Sequence, residues 1–213
     1  IVGTGFRDRL TGLFETVVAD VNTLEIPVVA IDLPTGLDAD TPHVAGIAMA
    51  GNPHAQLVVA RIEFGHTLMP DPCPSRELAE KNVRNAKAVV DFFRKNGVRV
   101  VNMSWGGTVK DVERELELCN IGKTPEDRKN IAREYFDLQK KGLRDAFASA
   151  PEILFVAAAG NSNADAAFEE AIPADIALPN VLTVGAVDKA GDEAPFTSYG
   201  PTVKLHANGY QVE

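Results

Sequence analysis

The chain has 213 residues, enough for one sizeable α/β domain, and its 45% apolar and 24% charged residues are ordinary for a globular protein. A formal net charge of −9 excludes nucleic acid or an anionic membrane as the main partner, since both demand a basic face. No run reaches the roughly 18 apolar residues of a membrane span, and the opening IVGTGFRDRL lacks the basic-then-apolar pattern of a signal peptide, so the expectation is a soluble chain of unassigned compartment.

In chain order, residues Arg7–Asn22 predict a helix with Leu10, Leu13, Phe14, Val17, Val18 and Val21 on one face. A strand follows at Val28–Asp32, a short apolar helix at His43–Ala50 and a strand at Leu57–Ile62. The stretch His66–Ser75 holds Pro70, Pro72 and Pro74 and reads as a surface loop. Arg76–Asn96 predicts a helix through Leu78, Val83, Ala86, Val89, Val90 and Phe93, stopped by Gly97. Val98–Met103 is the next strand, and the polar segment Lys110–Lys123 receives no element. A helix over 124–149 is announced by Thr124 as cap, Pro125 at the first helical position, and the acids Glu126 and Asp127. Strands close the pattern at Ile153–Ala159 and Val181–Val187, with a weaker one at Val203–His206.

The strand runs are continuous in Val, Ile and Leu, not alternating, as parallel strands buried on both faces require. Alternation of strand and helix then predicts a three-layer, doubly wound, mostly parallel α/β sheet, a single domain over residues 1–213. Cys73 and Cys119 stand in no metal spacing; one disulfide between them is possible, and two free thiols in a reducing environment are expected. No metal site and no cofactor are expected. His54, His66 and His206 have no partner spacing and are expected on the surface or in loops.

Four segments from His43 onward carry a specific resemblance. They are HVAGIAMAGNP at 43–53, VVNMSWGG at 100–107, FVAAAGNS at 155–162, and NVLTVGAVD at 180–188 with FTSYG at 196–200. In order and spacing they resemble the subtilisin-like serine peptidases, the subtilase family. The resemblance implies that His43 is the general base and Asn161 the oxyanion donor. It also implies that Ser104, Trp105 and Gly106 form one wall of a peptide-binding site and Ala158, Ala159 and Gly160 the other. The physics is compatible: a histidine at a helix N-terminus sits at the carboxyl edge of a parallel sheet, where α/β sites are built. An amide donor aimed at a developing oxyanion is worth roughly 3–4 kcal/mol in the transition state. The family's nucleophile lies in a Gly-Thr-Ser-Met-Ala segment beyond the stretch matched by ANGYQVE, and the sequence ends at Glu213. Ser104, Ser162 and Ser198 match other positions. The expectation is therefore a peptidase core with negligible hydrolysis, binding peptide at most.

The opening is of another kind. GTGFRDRLTG at 3–12 and IPVVAIDLPTGLDADT at 26–41 resemble the N-terminal domain of NAD(P)H-hydrate epimerases of the YjeF type. That resemblance implies nucleotide-phosphate contact at Gly3, Thr4 and Gly5, a substrate-facing Asp32, and help from Thr35 in binding a potassium ion. A glycine loop entering a helix does present free N–H groups to an anion. Without a third glycine, Gly3-Thr4-Gly5-Phe6-Arg7-Asp8 is not the dinucleotide fingerprint. The plainer reading is a glycine turn, a helix and a buried strand.

Asp32 belongs to both readings. Subtilases place a triad aspartate after a strand similar to VVAID. Asp32 and His43 are only 11 positions apart, closer than that family's usual spacing. A connection of that length spans a hydrogen-bonded pair, so Asp32 either orients His43 or ends a different strand. Two doubly wound families meeting within ten residues read as an engineered chimera, with a natural fusion as the alternative. A truncated sheet would expose apolar faces, so self-association is also expected.

Overall fold

The computed structural model describes residues 28–31, 54–58, 60 and 73–210. Its centre is a five-stranded sheet of β1 (Val28–Ile31), β2 (Val100–Met103), β3 (Leu154–Ala158), β4 (Val181–Val187) and β5 (Val203–Asn208). Every neighbouring pair is parallel and the strands lie in sequence order. Val28 is in register with Val100 and Ile31 with Met103, so the epimerase-like stretch and the subtilase-like stretch share one ladder. Met103 is in turn level with Ala157. The fold is thus α/β with a parallel sheet, as the uninterrupted apolar runs predict.

Three helices fill the described connections: α1 (Arg76–Lys95), α2 (Val109–Leu118) and α3 (Pro125–Ala148). Ser75 caps α1 by accepting the Leu78 N–H at 3.1 Å. The helix ends at Asn96, and Gly97 follows at φ +68°, a conformation that suits glycine. Thr124 and Asp127 form a reciprocal capping box at the start of α3, each accepting the other's backbone N–H at 3.1 Å. Helix α2 occupies the segment left unassigned in the sequence. Its signal is a second capping box, Thr108 with Asp111, followed by Leu116, which is fully buried.

The main core lies on the face of the sheet covered by α1 and α3. Ala86, Val90 and Phe93 from α1 and Phe136, Ala146 and Phe147 from α3 meet Val101, Met103, Phe155 and Ala157 from β2 and β3. The rings of Phe147 and Phe155 stack with centroids 4.3 Å apart. At the exit of α3 the Asn180 amide donates to the carbonyls of Phe147, Ala150 and Ile153, tying the turn after the helix to the start of β4. The other face buries Val156, Val184 and Ala207. Alternate residues of β3 therefore serve two apolar clusters, which is why its sequence does not alternate.

Two expectations are corrected. Cys73 and Cys119 are not free thiols: they form a disulfide with Cα atoms 5.8 Å apart. Their 46-residue separation conceals that Cys73 precedes the cap of α1, that Cys119 ends α2, and that both helices pack on α3. Nor is His206 a loop or surface residue. It lies within β5, half-buried, and its ring sits over Gly185, where a Cβ would come within 2.5 Å of it. His54 is exposed in a turn, as expected; His66 lies outside the described residues. So do the predicted helices at Arg7–Asn22 and His43–Ala50 and half of the strand at Leu57–Ile62, of which Leu57 makes a single bridge.

Candidate active site

The carboxyl ends of β2 and β3 deliver two sequence-predicted segments to the same edge of the sheet. Ser104, Trp105 and Gly106 leave β2 immediately after Met103, and Ala158, Ala159 and Gly160 continue from Ala157. Ser104 and Gly106 are exposed; Ser104 Oγ accepts from the Asn102 amide at 2.9 Å. Trp105 is half-buried and packs against the main core, so the wall is anchored from beneath by its largest side chain. Ala158 and Gly160 are exposed, whereas Ala159 is buried and donates its N–H to Val184 O at 2.9 Å.

Gly107 and Ile172 tie the first wall to the loop that follows the second. Each donates its N–H to the other's carbonyl at 3.0 Å. Gly106 is glycine because of this approach: a Cβ there would lie 3.2 Å from Ile172 O. Beneath the wall is a cavity of about 50 Å³ lined by Val83, Ala86, Trp105, Leu143 and Ile172, with Asn82 and Gln139 at its polar side. The residues that frame it come from α1, α3 and both connecting loops.

Asn161 is exposed at the tip of a turn whose preceding residue, Gly160, has φ +105°. The turn is sewn to the FTSYG segment. Ser198 N–H donates to Gly160 O at 2.9 Å, and Ser198 Oγ accepts the Ser162 N–H at 3.3 Å. Asn163 N–H donates to Phe196 O at 2.9 Å and Tyr199 N–H to Ala164 O at 3.0 Å. Ser198 is buried, and Thr197 beside it accepts the Ala186 N–H at 2.8 Å. The motif was legible in the sequence as a segment, but its task of gripping the Asn161 turn was not.

The loop continuing from this turn is pinned by charge. Lys110 pairs with Glu169 at 2.9 Å, Arg133 with Glu170 at 2.5 Å, and Lys140 with Asp175 at 2.6 Å. The hydrogen bond to Glu170 holds the Arg133 guanidinium above its ordinary pKa. Burial pushes the Asp175 carboxyl above the usual range, against the pull of Lys140. The loop is further held by Thr183 Oγ1, which donates to Ala174 O at 2.8 Å.

His43, Asp32, Gly3, Thr4, Gly5 and Thr35 lie outside the described residues. Strand β1 ends at Ile31, level with Met103. Among the described residues, no group of three or more His, Cys, Asp or Glu could hold a metal ion, and no helix is long and apolar enough to cross a membrane.

Comparison with known proteins divides the chain in the same way. Residues 1–62 match the family model for the YjeF-related protein N-terminus. Over 49 residues the chain is 39% identical to the bifunctional NAD(P)H-hydrate repair enzyme Nnr of Synechocystis, covering 23% of this chain and 9% of that protein. Over 78 residues it is 45% identical to the subtilisin-like proteinase Mp1 of Magnaporthiopsis poae, covering 34% of this chain and 18% of that one. The chain thus spans less than a quarter of the length of these curated relatives. A cold-adapted subtilisin-like serine proteinase shares the fold with TM-score 0.52 at 22% identity, over 88% of this chain and 65% of that one. The prenylagaramide maturation protease PagA does so with TM-score 0.51 at 16% identity, over 93% of this chain and 68% of that one. The model of the subtilase family matches residues 42–213, most of the sequence, and the chain belongs to that family.

Proposed function

We propose that these residues form the substrate-binding and acid–base portion of a serine endopeptidase site. His43 serves as general base, Asp32 orients it, and Asn161 donates to the oxyanion. Peptide backbone lies between Ser104–Gly106 and Ala158–Gly160. The observation that carries the reading is the joint arrangement of the walls: two exposed glycine-bearing segments leave neighbouring parallel strands at one edge, and the Gly107–Ile172 pair ties the first to the loop beyond the second. Ser104 and Gly106, exposed beyond the end of β2, would meet an extended peptide there. The cavity under Trp105 gives an apolar side chain of that peptide somewhere to go.

None of the serines in these 213 residues stands in the nucleophile's sequence context. By themselves, then, they bind peptide without hydrolysing it. Fluorophosphonate labelling of the folded chain, against a heat-denatured control, tests this, because the probe reacts only with a serine activated by a base and an oxyanion hole. No labelling is expected. A labelled serine would identify a nucleophile in place and overturn the inactive assignment.

The match over residues 1–62 favours a second reading, NAD(P)H-hydrate epimerase-like nucleotide binding through Gly3, Thr4, Gly5, Asp32 and Thr35. Nucleotide affinity that rises with potassium would establish it; affinity indifferent to potassium would remove it. We further propose that the chain is one domain of chimeric origin. The pairing of β1 with β2 in a single ladder supports this, as does the overlap of the two family matches over residues 42–62.

A further inference from the structure

We propose that Ser198 is the positioning residue for the oxyanion donor Asn161, an inference that rests on the assignment of Asn161 above. Asn161 is flanked by two residues that Ser198 holds at once. On one side the Ser198 N–H donates to Gly160 O at 2.9 Å. On the other the Ser198 hydroxyl accepts the Ser162 N–H at 3.3 Å. The peptide planes before and after Asn161 are therefore referred to one residue, the first through its backbone N–H and the second through its hydroxyl. Ser198 is 4% exposed, so water does not compete for its hydroxyl as it would at the surface.

Gly160 completes the device. Its φ of +105° is open to glycine, and a Cβ would stand 3.2 Å from Ser198 Oγ. A side chain at this position would therefore press on the Ser198 hydroxyl. An oxyanion donor gains its catalytic worth from being fixed before the charge develops. The backbone at Asn161 is exposed and has little packing of its own. Ser198 supplies the rigidity from below. It touches neither substrate nor reacting atoms, and its part is to orient.

Two measurements on the whole chain test the assignment. The first is hydrogen exchange at the Ser162 amide, which needs no ligand. Ser198→Ala should raise its exchange about tenfold, as expected for loss of one part-buried hydrogen bond, and Ser198→Thr should restore protection. Unchanged exchange in Ser198→Ala overturns the proposal. Should that variant not fold, Ser198→Cys carries the same test, because sulfur is a weak acceptor.

The second is the ratio of affinities for a peptide ending in a free carboxylate and the same peptide ending in an amide. A carboxylate oxygen stands where the oxyanion would, so the ratio reports the donor without requiring hydrolysis. Wild type should prefer the carboxylate; Asn161→Ala and Ser198→Ala should both lose the preference, and Ser198→Thr should regain it. Thr183→Val removes another buried hydroxyl, the donor to Ala174 O; it should lower stability and leave the ratio intact. Absence of the preference in wild type, or its persistence in Asn161→Ala, defeats the oxyanion reading and this proposal with it. A preference lost in Asn161→Ala but kept in Ser198→Ala defeats this proposal alone.

Discussion

Gly107 and Ile172 exchange both backbone hydrogen bonds at 3.0 Å, joining the wall that leaves β2 to the loop that follows the Asn161 turn. The contact leaves little room for a side chain at Gly106, where a Cβ would press on Ile172 O at 3.2 Å. Gly106→Val should therefore part the two segments and destabilise the chain by about 1–3 kcal/mol. Urea unfolding measures this directly, and a variant as stable as the parent would show that the loop yields easily.

Reduction of the Cys73–Cys119 bond should destabilise the chain by about 4 kcal/mol on the chain-entropy scale for a 46-residue loop. Thermal unfolding with and without a dithiol reports the loss. A double Cys→Ser variant should match the reduced protein and show no further response to reductant.

The Asp175 carboxyl is raised by burial, so the folded chain holds a proton there more tightly than the unfolded one. As pH falls through the raised folded value toward the ordinary 3.8, this group adds stability. As pH rises through the same window it takes that stability away. Asp175→Asn should flatten this part of the stability profile, read by urea midpoints across mildly acidic pH. An unchanged slope would mean that Lys140, at 2.6 Å, fully offsets the burial.

Thr108→Ala removes the cap and half of the capping box of α2 and should cost about 1 kcal/mol. The denaturation midpoint should fall while its slope stays constant. Because the lost cap holds the Asp111 N–H, hydrogen exchange should rise first in the N-terminal turn of α2.

Phe155→Ala should cost about 3–5 kcal/mol, since it empties a fully buried site and removes the stacked partner of Phe147. A calorimetric scan gives the comparison with Leu154→Ala. Leu154 is 37% exposed on the same strand and should matter much less.

The sequence made the strands and the two longer helices legible because their signals are local: unbroken Val and Ile runs, Gly97 after one helix, Thr124 and Pro125 at the start of the other. It also placed the two walls and Asn161 in order. What escaped was set by distance along the chain. The Cys73–Cys119 bond depends on α1 and α2 meeting a common helix, which no spacing reveals. The seat of His206 depends on Gly185 in the neighbouring strand. Helix α2 was missed for a different reason: its box ends in Asp111, a shorter relative of the usual Glu, and its surface is mostly charged. The grip of Ser198 on the Asn161 turn spans 36 positions and uses mainly backbone atoms, which leave little trace in side-chain pattern.

The ladder between β1 and β2 is blind to ancestry. Four residues matching one family lie beside four matching another, in unbroken register from Val28–Val100 to Ile31–Met103. Parallel pairing is written in amide and carbonyl groups, which every residue but proline carries alike. Lineages that share this geometry can lend one another a strand, and the borrowed piece needs only the right length and an apolar character to be accepted. Under the chimeric origin proposed above, the strand is the unit of exchange, and the proposed chemistry is left to the loops at its end.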